Sequence, residues 1–303
     1  RFTFLAKGKE QEKFRLRTIK LRGQISQGLV LPLNQFPEVT NIEASNDLEM
    51  SFEELLKVEK YEIPDSGNVK GCRPASTFPH FIPKTDEERI QNIYGKWKDK
   101  YENVLFKRSL KMDGSSTTIA SISNPNLFIE KLSEDEEYPY SCDDSQIVVA
   151  SRNQTLKYDE DSHYWKALHN SGLIVASNNI LQVTGRQLAL QGECLGPGIQ
   201  GNRENLKDYE IQVFKIWDID NKCYLDPEEF RSVCKTFNIK MVTQLEEVYP
   251  FAMELEQLIK LSKGKNSNGK NIEGIVYTSV NKVDGETLHF KVINNEYLLE
   301  KDK

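Results

Sequence analysis

The sequence predicts an α+β fold of mainly antiparallel sheets with flanking helices, and three observations carry that expectation. Short apolar runs rich in β-branched residues recur along the whole chain. Helical patterns are fewer and do not alternate regularly with those runs, which argues against a doubly wound parallel sheet. The 303 residues, 28% charged and 38% hydrophobic, suit a globular protein with a sizeable core, and no apolar run approaches the roughly 20 residues that span a bilayer.

Taken in chain order, RTIKL and QGLVLPL read as the first strands. Residues 1–22 hold eight basic side chains (Arg1, Lys7, Lys9, Lys13, Arg15, Arg17, Lys20 and Arg22) against Glu10 and Glu12, in a chain whose net charge is -6. That segment reads equally well as a local phosphate-binding surface or as a strand pair whose lysines guard an edge. Residues 36–74 read as a linker with scattered Pro and Gly and one short helical pattern, Phe52 to Glu59, so a domain of 75–303 follows an N-terminal piece of 1–35. Helical patterns then span Thr85 to Lys100, Ser162 to Ser171, Asp226 to Thr236 and Leu245 to Lys263, the last two entered through Pro or acidic first turns. VLFKRSLKMDGSSTTI, SQIVVAS, RQLALQGE, YEIQVFKIWDI, EGIVYTSV and TLHFKVI read as strands. The acidic stretch Glu130 to Asp144 reads as a surface insertion, and Lys260 to Asn271 as a flexible loop.

Five cysteines, Cys72, Cys142, Cys194, Cys223 and Cys234, are odd in number and form no C-x-x-C pair. With no signal peptide in RFTFLAKGKEQEKFRLR, they imply an intracellular, reducing compartment, and the Asn153-Gln154-Thr155 sequon is then incidental.

Three segments spell familiar motifs but fail on context. Gly196 to Gly201 matches G-x-G-x-x-G, yet only Asn202 to Asp208 separates it from the next strand, too few residues for a crossover helix. Gly264 to Asn271 nearly spells a phosphate loop, but Asn271 stands where Ser or Thr should hold magnesium, and a strand follows. Asp218 to Glu229 offers acidic ligands at three EF-hand positions but puts Cys223 where the sharp turn requires Gly.

Lys111-Met112-Asp113-Gly114 is a different matter. Alternation along the strand would put Lys111 and Asp113 on one face. The four-residue pattern alone is weak, since about one chain in ten of this size would carry it at ordinary residue frequencies. Its neighbours raise its weight: Asp86-Glu87-Glu88-Arg89 precedes it, Ser151-Arg152-Asn153 follows a strand, Glu193 closes RQLALQGE, Phe214 lies in VFKIW, Glu273-Gly274 opens a strand and Lys291 lies in HFKVIN. This order resembles the covalent nucleotidyltransferases, the ligases and capping enzymes. RTIKLRGQISQGLVLPL, FPHFIPKTDEERIQN, LALQGECLGPGIQGN and FKVINNEYLL resemble the Deinococcus/Naegleria-type RNA ligases, over residues 16–33 and most of 75–300.

The resemblance implies a nucleotidyltransferase domain preceded by an OB-type domain, of which only the last strands would lie in 1–35. It implies ATP and Mg2+ or Mn2+ as cofactors, Lys111 as the nucleophile, and Asp113 and Lys291 beside it. Arg89, Leu110, Met112, Gly114, Arg152, Asn153, Glu193, Phe214 and Glu273 would bind nucleotide, with Phe214 stacking on adenine and Glu193 and Glu273 reaching the metal through water. Many relatives carry two lysines spaced by one residue in the last motif, whereas here the positions are Lys291 and Ile293. The expected partners are RNA ends in a nicked duplex, handled by a monomer away from any membrane. A GTP-dependent capping-type guanylyltransferase and a catalytically silent RNA-binding relative are the alternatives. The physical demand is plain in any case: keeping a lysine neutral at pH 7 costs roughly 4.6 kcal/mol from a reference pKa near 10.4, so its surroundings are expected to lower that cost.

Overall fold

The computed structural model describes residues 19–21, 24–26, 28–40, 56, 58, 74–124, 127, 145–251 and 253–301. The basic segment up to residue 18, the Phe52 to Glu59 helix and the acidic insertion lie outside, or almost wholly outside, those residues. The chain divides into two compact units, Arg1–Ser66 with Leu298–Lys303, and Gly67–Tyr297. In the smaller unit β1 (Ile19–Leu21) pairs antiparallel with β2 (Gln24–Ser26), Ile19 opposite Ser26. QGLVLPL does not continue as a strand. Residues 29–32 belong to no strand, Val30 is 97% exposed, and a 3-10 turn at Leu33–Gln35 leads to α1 (Pro37–Thr40).

The larger unit is built on two antiparallel sheets. Its strands are β3 (Pro74–Thr77), β4 (Leu105–Lys111), β5 (Ser115–Ile122), β6 (Gln146–Ala150), β7 (Gln154–Leu156), β8 (Leu188–Leu195), β9 (Glu210–Asp218), β10 (Cys223–Tyr224), β11 (Gln244–Pro250), β12 (Gly274–Ser279) and β13 (His289–Ile293). Among the described residues one sheet has the order β10-β9-β8-β5-β6-β7-β3 and the other β11-β4-β12-β13. The helices are α2 (Ile90–Trp97), α3 (His163–Asn170), α4 (Leu173–Thr184), α5 (Pro227–Thr236), α6 (Leu255–Leu261) and α7 (Asn295–Lys301), of which α7 belongs to this unit only up to Tyr297.

Each sheet buries one face under helices. Trp165 and Leu168 of α3, Leu173 and Ile180 of α4 and Phe230 of α5 pack on Ile119, Leu190 and Ile216 of the seven-stranded sheet. On the four-stranded sheet, Ile90 and Trp97 of α2 and Leu258 of α6 join Phe106, Tyr277 and Phe290, with the Tyr277 and Phe290 rings stacked at 4.8 Å. Period-2 alternation then turns Lys107, Ser109 and Lys111 of β4, and His289 and Lys291 of β13, to the opposite face. On the seven-stranded sheet the same rule turns Gln191 and Glu193 away from the core that takes Leu190 and Cys194.

Three helical expectations change. The helix expected from Thr85 starts at Ile90, because Arg89 is extended and bridges Lys291, whose N–H donates to the Glu88 carbonyl at 2.8 Å. The segment expected to be one helix from Leu245 to Lys263 opens as β11 against β4, and the helix begins only at Leu255, after a capping box between Glu254 and Gln257. Pro250 inside that stretch was a readable signal, since proline in a helix interior removes a hydrogen bond. Helix α4 was not anticipated, although Gly172 and Gly185, both at positive φ, bracket it. The refused motifs stay refused. No helix separates 196–201 from β9, and Asp218 is occupied by Arg186 at 2.7 Å. Among the described residues no helix is long and apolar enough to cross a membrane.

Candidate active site

Lys111 ends β4 and Gly114 precedes β5, so Lys-Met-Asp-Gly is the crossing from one sheet to the other rather than the middle of one strand. Gly114 permits the crossing. A Cβ there would stand 2.3 Å from the Cys194 carbonyl oxygen, and its absence lets the Gly114 N–H donate to Glu193 Oε1 at 3.0 Å. Strand alternation therefore does not relate Lys111 to Asp113; the turn between sheets brings the Asp113 charge to the ammonium instead.

Register supplies the second carboxylate. Gly274 pairs with Lys111, which sets Glu273 beside it, and Lys111 Nζ stands 2.8 Å from Glu273 Oε1. Burial, the largest influence on Lys111, favours its neutral form, yet Glu273, Glu193 and Asp113 together outweigh burial and hold it above the usual lysine range. In the protein alone these charges favour the ammonium, and a divalent ion expected to ease deprotonation would have to offset them. Three carboxylates converge on one ammonium, and their summed field wins. Glu193 feels the converse: burial pushes it up to about 7 against the pull of Lys111.

Lys291 lies across the same face, opposite Val276, which pairs with Ser109. Burial pushes Lys291 below the usual lysine range, and Lys111 and Arg89 act in the same direction. Ile293, at the position where relatives have a second lysine, is 4% exposed and brings no charge to the cleft. The segment before Arg89 is stitched to both sheets. Asp86 takes Arg152 Nη2 at 2.8 and 3.0 Å, Lys84 Nζ donates to Asn153 Oδ1 at 3.0 Å, and Glu87 pairs with Lys215 of β9 while standing 3.5 Å from His289 Nε2 of β13. Arg152 and Asn153 are thus tied to the segment that leads to Arg89.

Phe214 owes its place to a bulge. Gln191 pairs with Lys215 and Gly192 with Val213, so Phe214 is the extra residue of β9, half-buried and outside the ladder. Val213 and Ile216 go to the helix-side core, leaving Phe214 and Lys215 consecutive on the other side. Leu110 and Met112 flank Lys111. Leu110 N–H is held by the Thr243 carbonyl at 2.9 Å, and its side chain lies on the face opposite that of Lys111.

A family model described as RNA ligase matches residues 109–293, which includes Lys111, Glu193, Phe214, Glu273 and Lys291. The chain belongs to the RNA ligase family. Its structure is similar to that of a Naegleria gruberi RNA ligase mutant with ATP and Mn, at 34% identity and a TM-score of 0.78, over 100% of this chain and 83% of that one. It is equally similar to Naegleria gruberi RNA ligase with PPi, at 34% and 0.78 over 100% and 82%. A further Naegleria gruberi mutant, with AMP and Mn, matches at 34% and 0.79 over 100% and 82%. An OB-fold domain model matches residues 1–33. Comparison with curated proteins returned no match.

Within the RNA ligase, no group of three His, Cys, Asp or Glu side chains stands at metal-ligating spacing among the described residues. Glu193 and Glu273, two carboxylates on one cleft, fit a hard cation that keeps most of its own waters. Residue-by-residue reading of the ligase sequence missed Glu87, Lys215, Arg203 and Tyr297. Only Glu87 and Tyr297 carried a signal, lying inside the family-like stretches FPHFIPKTDEERIQN and FKVINNEYLL.

Proposed function

We propose that the enzyme joins RNA ends in three in-line attacks at phosphorus: Lys111 takes AMP from ATP, the AMP passes to a 5'-phosphate end, and a 3'-hydroxyl displaces it. It is an ATP-dependent RNA ligase, with RNA ends and ATP as substrates and a divalent metal ion as cofactor. The observation that carries the lysine assignment is the enclosed Lys111–Glu273 pair at the crossing of the two sheets. Solved relatives holding ATP, AMP, PPi and Mn favour ATP over the guanylyltransferase reading.

The remaining roles follow from position. Glu273 Oε1, 2.8 Å from Nζ, is the atom placed to receive the Lys111 proton. Gly114 ties the lysine loop to Glu193 through its N–H, and Asp113 adds a carboxylate charge beside Lys111. Lys291 and Arg89 supply positive charge for the α-phosphate and the departing pyrophosphate. Phe214 offers an aromatic face to adenine, with Met112 and the backbone of Leu110 bounding the site, while Arg152 and Asn153 meet ribose or RNA backbone. A divalent ion held through water by Glu193 and Glu273 would neutralise phosphate charge. One chain furnishes all these groups, so a monomer suffices. Residues 1–35 are read as the end of an OB-type domain, 36–74 as a linker and 75–303 as the catalytic domain, which the OB-fold match at 1–33 supports. Sparse cysteines without a C-x-x-C pair support work in a reducing compartment.

Arg89 gives a step-specific expectation. Arg89→Ala should slow lysine adenylylation more than sealing of a pre-adenylylated strand, by about tenfold, because pyrophosphate is absent from the last step. Equal losses in single-turnover assays of both steps would remove Arg89 from the triphosphate. The substrate itself is tested on duplex nicks. RNA is told from DNA through its 2'-hydroxyls and helix shape, so a nick whose 3'-hydroxyl strand ends in ribonucleotides should be sealed well and one ending in deoxynucleotides poorly. The basic segment from Arg1 to Arg22 should make binding fall steeply with salt. Equal rates on both nicks at one fixed salt concentration would count against the preference for ribose at the 3'-hydroxyl end.

A further inference from the structure

The β8–β9 connection just after the Gly196–Gly201 motif and the loop at 264–271 bind each other. Asn266 Nδ2 donates to the Arg203 carbonyl at 2.9 Å and to Glu204 Oε1 at 3.1 Å, and Asn268 Nδ2 donates to the Arg203 carbonyl at 3.2 Å. In return Arg203 Nη2 donates to the Asn271 carbonyl at 2.7 Å, two residues before Glu273. The clasp thus joins the β8–β9 connection to the start of the strand that carries the lysine's counter-ion.

The same Arg203 guanidinium lies 5.0 Å from the centre of the Tyr297 ring. Tyr297, in the first turn of α7, is 2% exposed, and its hydroxyl hydrogen-bonds the Asp113 side chain. Burial, reinforced by the Glu273 and Asp113 charges, pushes its pKa far above the ordinary tyrosine range, so the phenol stays a donor at any working pH. The start of α7 is tied to Glu273 as well. Buried Asn294 donates its N–H to the Glu273 carbonyl at 2.9 Å and its Nδ2 to the Ile272 carbonyl at 3.0 Å, while its Oδ1 accepts from Glu296 N–H at 3.0 Å.

We propose that Tyr297 is a positioning residue for adenylyl transfer: its hydroxyl aims the Asp113 carboxylate, and Arg203, stacked on its ring and clasped to Asn271, holds that hydroxyl in register with Glu273. The loops between β8 and β9 and before β12 therefore serve the lysine site from behind, without touching phosphate. A carboxylate so near Lys111 would otherwise turn fully onto the ammonium, as Glu273 does. A phenol donating to Asp113 occupies part of its acceptor capacity and fixes which oxygen faces the cleft.

The inference rests on the reading of Asp113 as part of the adenylylation site, and a double-mutant cycle separates the two. Lysyl-adenylate formation and sealing of a pre-adenylylated nick are measured in single turnover for the wild type, Tyr297→Phe, Asp113→Asn and the double variant, with unfolding midpoints as controls. Tyr297→Phe keeps the ring and its stacking on Arg203. It should slow by about tenfold, the scale of one hydrogen bond to a charged group, the step that Asp113→Asn slows most. Asp113→Asn with Tyr297→Phe should be no slower than Asp113→Asn alone. Arg203→Lys, which loses the planar fork, should slow the same step by about threefold and likewise add nothing to Asp113→Asn; this variant carries the test if Tyr297→Phe does not fold. Wild-type rates for Tyr297→Phe beside a slow Asp113→Asn, or losses that multiply in the double variant, overturn the positioning role alone. A wild-type rate for Asp113→Asn overturns the role given to Asp113, and the positioning role with it.

Discussion

Replacing Lys111 with alanine is expected to abolish ATP-dependent sealing, by a factor on the order of 10⁴ or more, the scale seen when the nucleophile of a catalytic unit is deleted. Sealing of a strand that already carries the 5'-adenylate should survive far better, because the lysine's nitrogen forms no bond in that step. The contrast matters, since Lys111 is also the only cation paired with Glu273 among the ion pairs described, and its loss leaves Glu273, Glu193 and Asp113 without the ammonium that offsets their charges. Those groups can take up protons or bind metal, so the variant should remain folded, which its unfolding midpoint checks. Equal loss of both activities would make Lys111 a structural cation rather than the nucleophile.

Glu273→Gln is expected to produce the second largest loss, about 10²–10³-fold in adenylylation, comparable to removing a preorganised electrostatic group. The sign of this effect is informative. Glu273 helps to hold Lys111 protonated. If that were its whole contribution, removing its charge would free the nucleophile and the rate would rise. A fall, with a higher Mn2+ concentration needed for half-maximal rate, is the result expected of a carboxylate that receives the proton and helps to hold the cation. An unchanged metal requirement would leave Glu273 a counter-ion only.

Much of this was legible in the sequence where local pattern and tertiary structure agree. The strands holding Val148, Leu190, Ile216, Ile275 and Phe290 were legible as short apolar runs because their side chains enter one buried cluster or, as in the strand of Val148 and Val149, two. Legibility failed where tertiary contacts override local preference. Arg89 reads as helical, yet its backbone is held extended against Lys291. Leu173 to Thr184 is rich in β-branched residues, yet becomes a helix because Leu173, Ile174, Ala176 and Ile180 present one buried stripe to the sheet. At the site, the residue types were readable from their resemblance to a family, but the geometry was not. That Gly274 pairs with Lys111, that Phe214 occupies a bulge, and that the Lys-Met-Asp-Gly segment changes sheets are consequences of non-local register. The charges around Lys111 were not legible for the same reason: only the folded chain brings Glu193, Glu273 and Asp113 to it together.

The most direct measurement is to incubate the protein with α-labelled ATP or α-labelled GTP in the presence of Mn2+, digest it, and locate the label by peptide mass. The expected result is one AMP per chain from ATP, attached to Lys111 and released as pyrophosphate is added back, with no label from GTP. Label on another residue, guanylate in place of adenylate, or no covalent nucleotide at all would contradict the account.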